Sequence, residues 1–342
     1  MFTNKVEFCS RTVPGIRHLT SGNNDAILRE IKSGVRSVEM KKLRGSVAMI
    51  AATILWGASF SAQSCGVRFV DPMLFTALRS ILGALALAVT AALFDLRREG
   101  RVSWWGSAKT VAARKTLLAG GAWCGVILAV AGTLQQYGMK YTTAAKAGFL
   151  TALYIVIVPI FGMLFFGRRT SGFLWFAALL ALTGAYLLCG GVGTVGRGEW
   201  FVIGCAIIFS LHILVIDRYA PECDCVRLSC LQFAIAAVLN LVGTTVIRAP
   251  WEPDALADAL PYLLYAGIAS SAVAFTLQMV AQKYLHPVAA SLLMSLESVF
   301  AALGGWIFLR ETLSRRELAG CAVIFFAAIL AQLPPPRRPR GA

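Results

Sequence analysis

The sequence predicts an all-α integral membrane protein with ten transmembrane helices, arranged as two inverted five-helix repeats. Three observations support this fold class. The 342 residues are 58% hydrophobic and only 14% charged, whereas about a quarter of an ordinary soluble domain is charged. The apolar residues form ten segments, each close to the roughly 20 residues that a helix needs to cross a bilayer. The two halves of the chain also share one sequence pattern at a constant offset.

The shared pattern is clearest between residues 134–153 and residues 277–296. At an offset of 143 positions and without a gap, seven of these twenty positions are identical. The identical polar pairs are Gln135/Gln278, Lys140/Lys283 and Tyr141/Tyr284. Apolar composition alone would match leucines and alanines, but it would not match these polar residues. A long internal repeat in an apolar chain is typical of many transporter folds.

The repeat divides the chain into two units, a linker and two tails. The predicted parts are a basic tail at 1–44, a first repeat at 45–190, a Gly-rich linker at 191–198, a second repeat at 199–333 and a basic tail at 334–342. The predicted spans are 45–64, 73–94, 116–138, 143–166, 172–190, 199–217, 227–247, 260–282, 287–309 and 317–333.

The first 44 residues allow three interpretations. They lack the apolar core that a secretory signal contains. Apolar residues recur at helical spacing between Ile27 and Val38, with basic residues between them, which would suit a helix lying on an anionic inner leaflet. A disordered tail is the second interpretation. The third is that the native chain begins at Met40.

The basic residues predict the orientation in the membrane. Net charge is +15, and nine Lys or Arg residues precede residue 45, six lie in 95–115 and three lie in the last six residues. With both termini in the cytoplasm, 23 of the 32 basic residues fall on the inner side, as the positive-inside rule requires. Five spans per repeat then place the second copy upside down relative to the first. This symmetry favours alternating access around a site near the bilayer midplane.

Several short stretches resemble a known family. Trp56-Gly57-Ala58-Ser59-Phe60, Asp71-Pro72 and Arg79 in the first copy, and Leu296-Glu297-Ser298 and Leu309-Arg310-Glu311 in the second, are similar to EamA-domain permeases of the drug/metabolite transporter superfamily. The resemblance covers about residues 45–333. The chain departs from the family pattern at Ser298, where Pro is common, and at Arg168, where an acidic residue is common.

The resemblance implies a permease of the bacterial inner membrane that moves metabolites or amino-acid-like or drug-like compounds, commonly by export. Two other functions remain as alternatives: a membrane receptor or scaffold that transports nothing, and a membrane-embedded enzyme. An enzyme would need a catalytic cluster, and the three histidines do not sit with carboxylates in one. We therefore expect a secondary transporter.

Eight residues are candidates for substrate binding or gating, because each is a polar or aromatic side chain within or beside an apolar span. They are Trp56, Arg79, Gln135, Lys146, Tyr154, His212, Gln278 and Glu297. A charge such as Arg79 costs roughly 2.5–3.5 kcal/mol in a span and should face the bundle interior, as a ligand for an acidic group or as a structural tie. Glu297 and Tyr154 occupy equivalent positions of the two copies, which would suit a central cavity.

The other candidates have structural alternatives. Lys146 would snorkel outward or line the outer vestibule, Gln135 and Gln278 would bond neighbouring helices, and Trp56 and His212 would pack in the core. For Glu297 the alternatives are a proton or cation site and a hydrogen-bonded packing residue. The repeat copies differ at Arg168 and Glu311, which we expect to bias orientation or gating.

Three motifs resemble cofactor, metal or helix-contact motifs, but none of them predicts a cofactor. Gly191-x-Gly193-x-x-Gly196 lacks the preceding strand that a dinucleotide fingerprint requires. Cys223-x-Cys225 with Cys230 lacks a fourth metal ligand, and Gly121-xxx-Gly125 indicates helix packing. We expect no cofactor, no metal and no nucleic acid, since no basic domain stands apart from the spans. The expected partners are a small-molecule substrate and the lipid bilayer, and a homodimer is left open.

Overall fold

The computed structural model describes residues 24–189, 195–309 and 314–333. Within these ranges the chain forms thirteen α-helices and one π-helical stretch. The predicted features at residues 1–23, at Gly191 and Gly193 of the linker, at Glu311 and in the tail from residue 334 lie outside the described residues. All regular secondary structure that the described residues form is helical, in agreement with the predicted all-α class.

Six helices belong to the first half of the chain. They are α1 (Asn24–Gly66), α2 (Pro72–Glu99), α3 (Val111–Tyr141), α4 (Ala144–Thr151), α5 (Tyr154–Phe166) and α6 (Gly172–Leu188). The second half contains seven more helices and the π-helical stretch. They are α7 (Arg197–Tyr219), α8 (Cys225–Val246), α9 (Pro253–Leu264), the π-helix (Tyr265–Ala274), α10 (Phe275–Gln282), α11 (Pro287–Met294), α12 (Leu296–Leu309) and α13 (Arg315–Leu330).

Seven of these helical segments are long and apolar enough to cross a bilayer, by length and composition. They include the segment that runs through α9, the π-helix and α10 without interruption, Pro253–Gln282. Gly172–Leu188 and Pro287–Leu303 are shorter apolar helices. The chain is thus a multi-pass membrane protein.

Helix α1 starts earlier than the first predicted span. It begins at Asn24 and continues to Gly66, so residues 24–44 of the predicted tail are helical. Two hydrogen bonds connect α1 to the residues that follow α13. Lys42 Nζ donates to Gln332 O at 2.5 Å, and Ser46 Oγ donates to Gln332 Oε1 at 2.9 Å. The first and last helical segments therefore meet at one end of the bundle.

Side-chain caps begin corresponding helices of the two halves. The Asp71 carboxylate accepts from Met73 N at 2.8 Å at the start of α2, and the Asp224 carboxylate accepts from Val226 N at 3.0 Å at the start of α8. Ser171 caps α6 and Ser314 caps α13 in the same way. Such caps satisfy backbone N–H groups that the first helical turn leaves free.

The helices also break at corresponding positions. Helices α4 and α11 begin 143 positions apart, and they end 143 positions apart, at Thr151 and Met294. At each break the chain tightens into a turn with an i to i+3 bond, from Leu153 N to Leu150 O and from Ser298 N to Ser295 O, both 3.2 Å. The broken helices place Tyr154 and Glu297 just past the turn, in the middle of the bundle.

Small residues allow the helices to approach closely. A Cβ on Gly57 of α1 would lie 2.7 Å from Phe300 Cβ of α12, and one on Gly320 of α13 would lie 2.6 Å from Leu188 N of α6. Close backbone contact at glycines is the usual way in which membrane helices associate. The outer surface carries large apolar side chains, such as Leu164 at 70% exposure, which suits contact with lipid.

Candidate functional site

A cavity lies in the middle of the bundle, between helices of both halves. About 450 Å³ of space in this region is free of protein atoms, and part of that space is continuous with the surroundings. Six of the eight residues predicted from the sequence line the cavity: Trp56, Arg79, Gln135, Tyr154, Gln278 and Glu297. Seven lining residues had not been predicted: Phe60, Gln63, Thr151, Phe209, Ser270, Phe275 and Met294.

Arg79 is the cationic group of the cavity. Its side chain projects from α2 and the residue is only 3% exposed. Its Nη1 donates to Gln63 Oε1 at 2.6 Å, whereas its Nε has no hydrogen-bond partner among the described residues. The ion pairs of the described residues do not include Arg79. A buried guanidinium that is held by a neutral amide keeps its positive charge, and none of the described acidic side chains pairs with it.

Glu297 is the acidic group of the cavity. The Tyr154 hydroxyl donates to Glu297 Oε1 at 3.0 Å, and the two residues are 143 positions apart. Glu297 lies in the first turn of α12 and is 5% exposed. A helix N-terminus stabilises negative charge there. Like Arg79, Glu297 takes part in none of the ion pairs between described residues.

Aromatic side chains form the apolar part of the wall. Trp56 and Phe275 pack edge to face with ring centroids 5.0 Å apart, and Phe60 and Phe209 line the cavity from α1 and α7. Trp56 Nε1 faces no hydrogen-bond partner within the described chain. The cavity thus combines an apolar wall with the guanidinium of Arg79 and the carboxyl group of Glu297.

Two predicted site residues lie elsewhere. Lys146 stands in the first turn of α4 and pairs with Glu199, with Nζ 3.7 Å from Oε1. The Thr142 hydroxyl donates to the same carboxylate oxygen at 2.7 Å. His212 is fully buried behind the cavity wall, with Nε2 3.0 Å from Gln232 Oε1.

Arg168, which we expected to bias orientation or gating, forms an ion pair with Asp217 near the end of α7, where Nη1 lies 2.5 Å from Oδ2. Another ion pair joins the same side of the bundle, between Arg227 of α8 and Asp95 of α2, with Arg227 Nη2 2.6 Å from Asp95 Oδ1. Both pairs link the first half of the chain to the second. Asp95 lies in the last turns of α2, and Arg168 follows the end of α5.

The chain is a membrane transporter. Its helical bundle with an internal cavity suits this class, and its relatives show it. The chain belongs to the EamA-like transporter family, which matches residues 43–190 and again residues 196–333. The family domain is therefore present twice, and the resemblance stated from the sequence is confirmed.

The relatives carry transporter names. An uncharacterized transporter of Archaeoglobus fulgidus is 25% identical over 299 residues, which are 86% of this chain and 87% of that protein. The threonine/homoserine exporter RhtA of Salmonella typhimurium is 29% identical over 177 residues, which are 48% of this chain and 56% of RhtA. A solved crystal structure, 20% identical, has the same fold with a TM-score of 0.67 and covers 84% of this chain and 96% of its own.

Proposed function

We propose that the protein is a secondary transporter that exports small zwitterionic metabolites of the amino-acid type by alternating access. One observation carries this proposal. Among the described residues, the guanidinium of Arg79 in the central cavity has no acidic partner, and the carboxyl group of Glu297 in the same cavity has no basic partner. The first belongs to the first half of the chain and the second to the other half.

A zwitterion would satisfy both groups. Its carboxylate would accept from Arg79 Nε and its ammonium would donate to Glu297, while its side chain would pack against Trp56 and Phe275. An isolated buried charge is costly, and a ligand charge at hydrogen-bond distance offsets that cost. The name of RhtA, a threonine/homoserine exporter, supports a substrate of this chemical type.

The proposal includes ten spans in two inverted repeats. The caps and helix breaks that recur at matching positions support this arrangement, as does the family domain in two copies. Because each repeat would contain five spans, an odd number, the two copies would face opposite sides of the membrane. Exchange of their conformations would open the cavity first to one side and then to the other.

The distribution of basic residues supports a bacterial inner membrane location with both termini in the cytoplasm. In this orientation the pairs Arg168–Asp217 and Asp95–Arg227 lie on the cytoplasmic side. They would hold that side closed while substrate has access from the other.

The experiment measures binding and counterflow with purified protein in proteoliposomes. The probes are L-threonine, the amino alcohol that lacks its carboxylate and the hydroxy acid that lacks its ammonium. The wild type should prefer L-threonine to both analogues by about tenfold or more, the effect of one charged hydrogen bond. Arg79→Gln should remove the preference over the amino alcohol, and Glu297→Gln should remove the preference over the hydroxy acid.

Lys146→Gln is the matched control, because it removes a charge that lies outside the cavity. It should leave both preferences in place. The proposal would be wrong if no zwitterion bound to the wild type, or if Arg79→Gln weakened the binding of all three probes equally.

A further inference from the structure

Two helices that start alike carry different residues at the same position. Asp71 caps α2 and Asp224 caps α8. Arg79 lies eight residues after the first aspartate, and Gln232 lies eight residues after the second. Gln232 thus occupies in the second half the place that Arg79 occupies in the first.

The preceding helices correspond in the same way. Phe60 of α1 and Phe209 of α7 both line the cavity. Gln63 follows the first phenylalanine by three residues, and His212 follows the second by three residues. His212 is therefore the counterpart of Gln63.

In each half of the chain, a side-chain hydrogen bond connects the two residues of the corresponding pair. Arg79 Nη1 donates to Gln63 Oε1 at 2.6 Å in the first half, and His212 Nε2 lies 3.0 Å from Gln232 Oε1 in the second. Since an amide oxygen only accepts, His212 Nε2 carries the proton in this pair. The same polar link is built twice, once with a guanidinium and once with an imidazole.

The two links differ in their access to the cavity. Arg79 and Gln63 line it, whereas His212 and Gln232 are both 0% exposed and do not. The Phe275 ring lines the cavity and packs edge to face on the His212 ring, with centroids 6.0 Å apart. The residue 143 positions before Phe275 is Gly132, so the first half has no ring at the corresponding place.

The pair His212 and Gln232, which Phe275 covers, has two hydrogen-bonding atoms without a partner among the described residues. His212 Nδ1 and Gln232 Nε2 have no partner in the part of the chain that the structure describes. The first is an acceptor when Nε2 carries the proton, and the second is a donor. Such buried groups are rare without a ligand or water to satisfy them.

We propose that His212 and Gln232 form a second binding subsite for the head group of the transported zwitterion, and that Phe275 covers it in the present conformation. The substrate carboxylate accepts from Gln232 Nε2, and its ammonium donates to His212 Nδ1. This inference rests on the proposed function, because it assumes that the cavity opens to the cytoplasmic side. The subsite lacks the fixed charge of Arg79 and holds the substrate less tightly.

Phe275 is well placed to move. It is the first residue of α10, directly after the π-helical stretch Tyr265–Ala274. π-Helical turns are rare and frequently occur at functional sites. A change of this stretch towards α-helical bonding would rotate Phe275 relative to α9 and uncover His212.

The first test measures access to His212 by modification with diethyl pyrocarbonate and peptide mass spectrometry. The exposed His286 in the same protein is the internal reference. Phe275→Ala should increase the rate of His212 modification relative to His286, and L-threonine should suppress the increase. Phe201→Leu, a change in an aromatic pair outside the cavity, is the control and should leave the ratio unchanged.

The second test measures the KM for L-threonine supplied from each side of oriented proteoliposomes. Gln232→Leu should raise the cytoplasmic KM more than the outer KM, by about tenfold for a lost bond to a charged group. Arg79→Gln should shift the ratio of the two KM values in the opposite direction. Melting temperatures of both variants show whether they are folded.

The outcomes separate this inference from the proposed function. If the wild type neither binds nor transports any zwitterion, the proposed function fails, and the second subsite fails with it. If the wild type transports L-threonine but Gln232→Leu raises both KM values equally, the second subsite alone is wrong. Unchanged His212 modification in folded Phe275→Ala would also overturn it.

Discussion

The Tyr154 hydroxyl donates a hydrogen bond to Glu297 Oε1 at 3.0 Å, and these residues occupy equivalent positions of the two family domains, 143 residues apart. The contact therefore crosses from one domain to the other at the place where both helices break. A hydroxyl and a carboxylate at equivalent places make the centre of the cavity asymmetric. The asymmetry places a carboxyl group on only one side of this contact.

The first prediction concerns the role of that carboxylate. Glu297→Gln should make the rate of L-threonine counterflow independent of pH, because an amide neither gains nor loses a proton. Tyr154→Phe removes the hydrogen bond but leaves the carboxylate, so its rate should still vary with pH. Initial rates measured over a series of buffers test this. A pH-dependent rate in Glu297→Gln equal to that of the wild type would exclude a proton role.

The second prediction concerns the link between Arg79 and Gln63. Gln63→Leu should lower the free energy of unfolding by about 1–3 kcal/mol, because it leaves a buried guanidinium without its acceptor. Adding Arg79→Met should restore stability, since the charge is then gone, but it should not restore substrate binding. Tryptophan fluorescence during unfolding measures the first effect and counterflow the second. Equal stability of the single and double variants would contradict the explanation.

The third prediction concerns the ion pair between Asp95 and Arg227, whose side chains are 11% and 9% exposed. Arg227 Nη2 also donates to Ser103 O at 3.0 Å, so the pair fastens the loop after α2. Asp95→Asn should destabilise the protein by about 1–3 kcal/mol, because it weakens the charged hydrogen bonds of the largely buried Arg227, whose remaining acidic partner is Asp224 at 3.4 Å. Thermal unfolding measures the loss.

A matched control is available for this pair. Arg218 and Glu222 form an exposed ion pair one turn apart on the surface. Glu222→Gln should change stability little, because solvent screens such pairs. Similar losses of stability in Asp95→Asn and Glu222→Gln would show that burial does not determine how much an ion pair contributes to stability.

The fourth prediction concerns His286, which lies between the spans. Its Nδ1 accepts from Val288 N at 3.4 Å and caps α11. Partial removal of water by surrounding residues lowers its pKa, an effect that Asp217 opposes and Arg168 reinforces. The folded protein thus prefers the neutral ring more strongly than the unfolded chain does.

Stability should therefore decrease as the pH falls below about 6.5, the pKa of an unperturbed histidine. His286→Asn keeps an acceptor for the cap but does not titrate. The difference in melting temperature between this variant and the wild type should grow on the acid side and stay constant above neutral pH. A difference that does not vary with pH would contradict this assignment.

Much of the architecture could be predicted from the sequence. The match of Gln135 with Gln278 and of Lys140 with Lys283 located the family domain in both halves. The apolar segments located the helices, because length and composition determine whether a helix can cross a bilayer. The helical spacing of apolar residues between Ile27 and Val38 allowed a helix in the tail, but that this helix is continuous with the first span, as α1 from Asn24 to Gly66, was not predicted.

The cavity was only partly predictable. Arg79, Tyr154 and Glu297 carry polar groups that stand out in apolar helices. Gln63 is also a polar residue in an apolar helix, but it was not among the predicted site residues. Phe275 offered none, because a phenylalanine in an apolar helix does not reveal whether it faces lipid, a neighbouring helix or a cavity.

Partners between distant helices were not predictable at all. Asp95 and Arg227 are 132 positions apart, and their contact depends on how α2 packs against α8. Lys146 was assigned to a vestibule or to snorkelling, but it pairs with Glu199. Sequence periodicity indicates which face of a helix is polar, but not which residue of another helix it meets.

The Arg79–Gln63 link has a consequence for how the chain enters the membrane during its synthesis. Gln63 precedes Arg79 by 16 residues, so the ribosome has already made the acceptor when the guanidinium reaches the bilayer. Two other buried charges share this order: Tyr154 precedes Glu297, and Asp95 precedes Arg227. In each case the later residue meets a partner that has already been synthesised, so neither Arg79 nor Glu297 has to remain in lipid until a downstream helix arrives.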